Sequence, residues 1–331
     1  MEFALAEVME AHSLIAGLAR KTPLIEARGF GTESRHPLLL KLETLQPIGA
    51  FKIRGAAHAL LRLDDEARQR GVVCCSTGNH GRAVAYAASR LGIPATICLS
   101  RLVPKTKIDA IAALGATVAR CGESQDDAQR EARRLVAEKS YTDISPFDHR
   151  DVILGQATIA LELLGERPDL TRIVVPLSGG GLISGIAFAA KALKPSIRVT
   201  GISMEEGAAM HESLKAGRPV AVTEVPSLAD SLGGGINLDN RWTFDLCRRH
   251  VDETLLVSEE DIYRGMRALF LRERLVAEGA GAIGVAALLA GKLTLDGPTA
   301  MIISGQNVDM DQFMTIARGE PVRLGERLVK G

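Results

Sequence analysis

Residues 71–99 read GVVCCSTGNHGRAVAYAASRLGIPATICL, and the fold follows from how this stretch alternates. Gly71 precedes the apolar run Val72-Val73-Cys74-Cys75, which reads as a strand buried on both faces. From His80 to Leu91 alanine dominates a helical pattern. Gly92 stops it, and Ala95-Thr96-Ile97-Cys98-Leu99 reads as the next strand. The unit then repeats: a helix over 105–114, Gly115, a strand over 116–119, and a charged helix over 125–138. Each glycine stands just past a helix and just before a strand, where a left-handed residue ends the helix. Strands alternating with helices imply a parallel sheet with right-handed crossovers.

The rest of the chain carries the same rhythm more loosely. Leu38-Leu39-Leu40 with Leu42 reads as a strand, and Gln46-Pro47-Ile48-Gly49 breaks it. After Phe51 the residues Ile53, Ala56, Ala57, Leu60 and Leu61 recur at helical steps. Further on come a helix over 151–164, a strand over 172–177, a helix over 182–193 and a strand over 198–204. Ser258-Glu259-Glu260-Asp261 opens a capped helix, small residues after Glu278 form another, and 299–303 is a last buried strand. Residues 225–241, VPSLADSLGGGINLDNR, show no period, and long loops in compact proteins are usually functional. The expectation is an α/β protein of two lobes, each a parallel-rich sheet flanked by helices. Residues 71–148 form the smaller lobe, and 1–70 with 149–331 form the larger.

Composition narrows the functional classes. The 331 residues are 46% apolar, enough for a large core. Forty basic residues balance forty acidic ones, which argues against nucleic acid or an anionic membrane as a partner held by bulk charge. The N-terminal segment is an amphipathic helix bearing Glu2, Glu7 and Glu10 and lacks the pattern of a secretory signal. Five cysteines without a CxxC spacing suggest reduced thiols, so a cytoplasmic location is expected. No histidine or cysteine spacing matches a metal site, and no metal is expected.

Chemistry concentrates where strands end. Lys52 lies between Phe51 and Ile53 at a loop–helix junction. Desolvation there favours the neutral amine, the form that makes Schiff bases with carbonyl compounds, although a snorkelling lysine also fits. Ser178-Gly179-Gly180-Gly181 follows a strand and opens a helix, where unpaired N–H groups and the helix dipole attract an anion. It matches neither a Walker loop nor the GxGxxG fingerprint, and a tight turn that needs glycine for packing is the alternative. Ser76, Thr77, Gly78, Asn79 and His80 sit at a similar junction and could hold a carboxylate or simply cap the helix. Ser304 follows the last buried strand, a position that faces ligands in α/β proteins, although taken alone a plain turn serine fits better.

Taken together, FKIRGA (51–56), STGNHG (76–81), SGGGLISG (178–185) and SGQNVD (304–309) resemble the fold type II pyridoxal-phosphate enzymes. The likeness is to the threonine/serine dehydratases and serine racemase, and it spans nearly the whole chain. The resemblance implies pyridoxal 5'-phosphate as cofactor, joined as an imine to Lys52, with Lys52 moving protons afterwards. It implies that Phe51 packs near the pyridine ring and that Asn79 hydrogen-bonds the ring's phenolic oxygen. Ser178, Gly179, Gly180, Gly181 and Leu182 would hold the phosphate, and Ser304 would meet the ring nitrogen. Ser76, Thr77, Asn79 and His80 would hold the carboxylate of a small amino-acid substrate. Glu278 matches a glutamate near the cofactor. The small lobe would close over the ligand, and the protein would be a homodimer.

The implied reaction is β-elimination from a β-hydroxy amino acid to a 2-oxo acid and ammonia, an ammonia-lyase activity. A racemase or a β-replacement synthase on the same scaffold is the alternative, and a non-catalytic phosphate-ligand binder is a third. Where serine racemase places a second base this chain has Thr77, and at the metal positions of some relatives it has Ser203 and Ala209. STGNHGRA and LADSLGGG are similar to dehydratases acting on phenylserine-type and hydroxyectoine-derived substrates. Glycines at 233–235 in the substrate-side loop suggest a β-hydroxy amino acid bulkier than serine.

Overall fold

A computed structural model describes residues 3–30, 35–76, 78–103 and 105–331. In chain order it runs α1 (Leu5–Leu14), β1 (Leu24–Glu26), β2 (Leu38–Leu42), α2 (Lys52–Leu61), α3 (Asp65–Arg70) and β3 (Val72–Cys75). Then follow α4 (Asn79–Leu91), β4 (Ala95–Leu99), α5 (Lys105–Ala112), β5 (Thr117–Arg120), α6 (Gln125–Lys139), β6 (Thr142–Asp143) and α7 (Arg150–Glu166). The next elements are β7 (Arg172–Pro176), α8 (Gly181–Leu193), β8 (Arg198–Met204), α9 (Ala209–Ala216), α10 (Thr243–His250) and β9 (Glu253–Val257). Last come α11 (Glu259–Ala268), α12 (Gly279–Leu289), β10 (Thr299–Ile303), α13 (Met310–Arg318), β11 (Val322–Leu324) and β12 (Arg327–Val329).

Two sheets carry the architecture. The smaller has the order β5-β4-β3-β6, and all its pairs are parallel. The larger has the order β1-β2-β10-β7-β8-β9, parallel throughout except for β1, which runs antiparallel along its edge. Strands β2, β3, β7 and β10 are buried at every position. That is why they read as continuous apolar runs and not as alternating ones. The fold is therefore the expected α/β arrangement of two parallel-rich sheets with flanking helices. A short β11–β12 hairpin closes the chain.

Punctuation by glycine holds with one difference. Gly92 ends α4 in the left-handed conformation, at φ 68° and ψ 25°. Gly71 instead takes φ 102° and ψ 175°, because the chain turns at once into β3 beside the Pro94 carbonyl, where a Cβ would come within 2.7 Å. Ser258 and Asp261 form the expected reciprocal cap of α11, with Ser258 Oγ accepting from the Asp261 N–H at 3.2 Å. The irregular stretch 225–241 holds only a short turn of 3₁₀ helix, Asp230–Leu232.

Three helices are pressed together backbone to backbone. A Cβ on Gly155 of α7 would stand 2.4 Å from the Arg54 carbonyl of α2. One on Gly185 of α8 would stand 2.5 Å from the Ile153 carbonyl of α7. Gly55 meets Val152 and Gln156 just as closely. With main chain against main chain at Gly155 and Gly185, α2, α7 and α8 form one slab. The slab fixes the N-terminus of α2, which is Lys52, relative to the N-terminus of α8, which is the glycine triplet.

Candidate active site

Each stretch singled out in the sequence lies beyond the C-terminal end of a parallel strand, where open α/β sheets bind ligands. Lys52 follows β2, Asn79 follows β3, the glycine triplet follows β7 and Ser304 follows β10. The chain also brings them together. The Phe51 N–H donates to the Ser304 carbonyl at 3.0 Å, and Ala50 bridges Gly305, so the end of β10 abuts the start of α2. Lys52 Nζ donates to the Pro146 carbonyl at 2.6 Å and lies 5.3 Å from the centroid of the Phe51 ring. Its removal from water lowers the amine's pKa to about 8, against an opposing pull from Glu278.

The glycine triplet is held on two sides. Phe147 lies against Gly179 and Gly181, so closely that a Cβ on Gly179 would fall 2.5 Å from Cγ of the ring. On the other side Met210, Thr243 and Cys247 crowd Gly180, which caps α8 at φ 90°. The packing explanation for these glycines is therefore correct. It leaves the anion explanation intact, since the Ser184 N–H makes the first intrahelical bond, to Gly180 O at 2.9 Å. The N–H groups of Gly181, Leu182 and Ile183 thus have no partner inside the helix. Ser178 is half-buried at the mouth of this turn, and Leu182 is buried behind it.

Asn79 begins α4 and is engaged at both ends. Its Nδ2 donates to Glu278 at 2.9 and 3.1 Å, and its Oδ1 accepts from Asn307 Nδ2 at 2.6 Å. Burial pushes the Glu278 carboxyl up to about 7, with Asn79 and Ser231 donating to its ionised form and Asp230 repelling it. Ser231 Oγ reaches Glu278 at 3.3 Å, which ties the glycine-rich loop to the same cluster. His80 is buried, with its Nε2 at 2.6 Å from the Ile144 carbonyl. A carbonyl only accepts, so Nε2 carries the proton. Nδ1 is left as a buried acceptor with no partner among the described residues. Burial, helped by the Lys52 charge, lowers this imidazole to about 3 and keeps it neutral. Any hold on a carboxylate by His80 therefore falls to its backbone N–H at the helix start. Ser76 Oγ accepts from the Gly78 N–H at 3.4 Å, Ser304 is buried, and Thr77 lies outside the described residues.

Sequence reasoning missed a second layer. Arg54, two residues past Lys52, is 1% exposed and bonds Glu43 at 2.8 and 2.8 Å and Glu162 at 2.6 and 2.9 Å. Lys41 Nζ meets Glu162 at 2.5 Å and the Thr22 carbonyl at 2.6 Å. Two cations thus face two anions inside the protein, which satisfies the rule that buried charges be paired. A lysine inside the leucine run LLLKL was the available signal. The segment 145–149, SPFDH, has no periodicity and went unnoticed, yet it supplies Pro146 and Phe147. Among the described residues, no group of three or more His, Cys, Asp or Glu side chains is arranged to hold a metal ion.

These residues suit a phosphorylated aldehyde. A primary amine of lowered pKa, a helix-tip cradle free of side chains and a braced amide–carboxylate cluster surround one place. The chain is a member of a cofactor-dependent enzyme class, the pyridoxal-phosphate dependent enzymes, whose family model matches residues 15–305. Among curated relatives it is 49% identical over 300 residues to a putative threonine dehydratase of Sinorhizobium fredii, covering 90% of each chain. It is 38% identical over 325 residues to the L-threonine ammonia-lyase of Thermotoga maritima, covering 98% of this chain and 80% of that one. Its fold superposes on maize serine racemase with a TM-score of 0.88 at 33% identity, covering 94% of this chain and 95% of the other.

Proposed function

We propose that this protein is a pyridoxal-phosphate-dependent ammonia-lyase that converts a β-hydroxy amino acid to a 2-oxo acid and ammonium. The observation that carries the reading is Lys52: a partly dehydrated amine of pKa about 8, held by the Pro146 carbonyl beside the glycine-tipped start of α8. When bound, the cofactor supplies an electron sink for the bond broken at the α-carbon. Lys52 holds the aldehyde until substrate arrives, and its freed Nζ then takes the α-proton. The N–H groups at the start of α8, with Ser178, Gly179, Gly180, Gly181 and Leu182, hold the phosphate. Asn79 donates to the ring oxygen, braced by Glu278 and Asn307, and Ser304 meets the ring nitrogen without adding charge. Ser76, Thr77 and the α4 N–H groups of Asn79 and His80 hold the carboxylate, and Phe51 packs against the ring.

The substrate is a β-hydroxy amino acid with a side chain larger than that of serine. Supporting this, nothing lies within 4 Å of where a Cβ would stand on Gly234 or Gly235, in the loop that Ser231 ties to Glu278. Comparing kcat/KM for serine, threonine and 3-phenylserine, with release of 2-oxo acid and ammonia as the readout, tests both parts. A strong preference for serine removes the size argument, and D-amino acid or thioether products in place of ammonia remove the lyase. Residues 71–148 close over the ligand against the rest of the chain, which X-ray scattering with and without substrate measures. The enzyme acts as a homodimer, measured by light scattering. No helix among the described residues is long and apolar enough to cross a membrane, and the free cysteines fit the reducing cytoplasm as its location.

A further inference from the structure

The short segment linking β6 to α7 touches both Lys52 and the glycine triplet, and one residue in it ties it to α10. Pro146 offers its carbonyl to Lys52, Phe147 lies under Gly179 and Gly181, and His149 caps α7 by accepting from the Asp151 N–H at 3.2 Å. Between them stands Asp148. Its Oδ2 accepts from the Arg241 N–H at 2.7 Å, and its Oδ1 accepts from the N–H groups of Trp242 and Thr243 at 2.8 and 3.0 Å. Those donors are the unpaired amides at the start of α10. The same helix supplies Thr243 and Cys247, which crowd Gly180 from the face opposite Phe147. The glycine triplet therefore sits in a clamp, with Phe147 as one jaw and α10 as the other.

We propose that Asp148 is a positioning residue for the phosphate cradle, acting by tying the two jaws together. It rests on the reading of the glycine triplet as the cofactor's phosphate site. Without the carboxylate, α10 keeps only the Asn240 side chain, which accepts from the Phe244 N–H at 2.9 Å, to cap its start, and the link that carries Phe147 is no longer tied to the helix. Either shift loosens the backbone whose N–H groups must converge on one anion. Lys52 is carried by α2 in its slab with α7 and α8, and only its bond to the Pro146 carbonyl lies in this link, so the aldehyde-binding half of the site is disturbed less than the phosphate half.

That division gives the test. Cofactor-free protein is titrated with pyridoxal phosphate and, separately, with pyridoxal, which has the aldehyde but no phosphate, following the visible absorbance of the Lys52 imine. In Asp148→Ala the Kd for pyridoxal phosphate is expected to rise about 10–100-fold, the range seen when groups orienting a binding shell are removed. The Kd for pyridoxal stays within about twofold, since orientation of that shell is not used by a ligand lacking the phosphate. Asp148→Asn keeps one oxygen that can accept from Trp242 and Thr243 and recovers part of the affinity. It carries the test alone if the alanine variant does not fold. Equal weakening of both ligands, or of neither, overturns the proposal. If the unaltered protein binds pyridoxal phosphate no better than pyridoxal, the phosphate-site reading itself has failed.

Discussion

Capture of an aldehyde by Lys52 should follow the ionisation of a buried amine, and the structure says where on the pH scale that occurs. A lysine in water, near pH 10.4, is neutral in roughly one molecule in a thousand at pH 7.5. Burial brings Lys52 to about 8. At the same pH roughly one molecule in four then has a free lone pair, a gain of about 190-fold in nucleophile at equal intrinsic reactivity. The assay is borohydride trapping of pyridoxal phosphate on cofactor-free protein from about pH 6 to 10.5, a window that spans both values, with the labelled peptide mapped to Lys52. The initial rate should rise with a midpoint near 8. Glu278→Gln should move that midpoint lower, because the carboxylate is what holds the amine up against desolvation. Stability gives a second readout. The folded pKa lies below the unfolded one, so the unfolded chain binds more protons between the two values and the cofactor-free protein gains stability as pH rises through that window. Lys52→Met abolishes the rise. A trapping midpoint near 10, the value for an amine in water, refutes the claim that this site dehydrates its lysine.

Other expectations follow from single contacts. Gly179→Ala places a methyl 2.5 Å from the Phe147 ring, and overpacking of about 1–3 kcal/mol should weaken cofactor binding roughly tenfold in a fluorescence titration. Arg54→Ala leaves Glu43 without its cation and Glu162 with Lys41 alone, a loss of about 3–5 kcal/mol. For 331 residues at ~2.1 cal/mol/K each, that is a fall of about 4–7 °C in Tm by calorimetry. The deficit should shrink in acid, where Glu162, which burial raises but Arg54 and Lys41 bring below the usual carboxylate range, takes up its proton. Glu278, raised to about 7, holds its proton in the folded state after the unfolded chain has lost its own. Its share of stability is thus full below about pH 4.3 and disappears as pH climbs through about 7, a slope that Glu278→Gln should flatten.

Much of the fold was legible because buried parallel strands announce themselves: VVCC, ATICL, RIVVP and TAMII all lie where their apolar runs placed them. The antiparallel edge strand Leu24–Glu26 was not, since three half-exposed residues carry no period. Nor was the π-helical turn Leu269–Glu273, which has no sequence mark distinct from the α-helix it extends. At the candidate site, Lys52, Asn79 and Ser304 each also had a plain structural reading, and they stood out with the glycine triplet because four ordered motifs resemble one family. Their supports did not. Glu43 and Arg54 lie eleven positions apart and Glu162 more than a hundred further on, and nothing in one sequence pairs them. Asp148 sits in a five-residue link whose worth depends on α10, more than ninety positions later.

The seam of Gly55, Gly155 and Gly185 has a wider consequence. Main chains in mutual contact have no rotamers to rearrange, so the spacing between amine and anion cradle behaves as a rigid chassis. Loop 231–235 is not part of that chassis: Gly234 and Gly235 look onto open space. A side chain can be added at 235 to resize the mouth without disturbing the three-helix slab, whereas Gly234, at φ 94°, accepts an L side chain only with strain, and the bond from Ser231 to Glu278 keeps the loop coupled to the reactive centre.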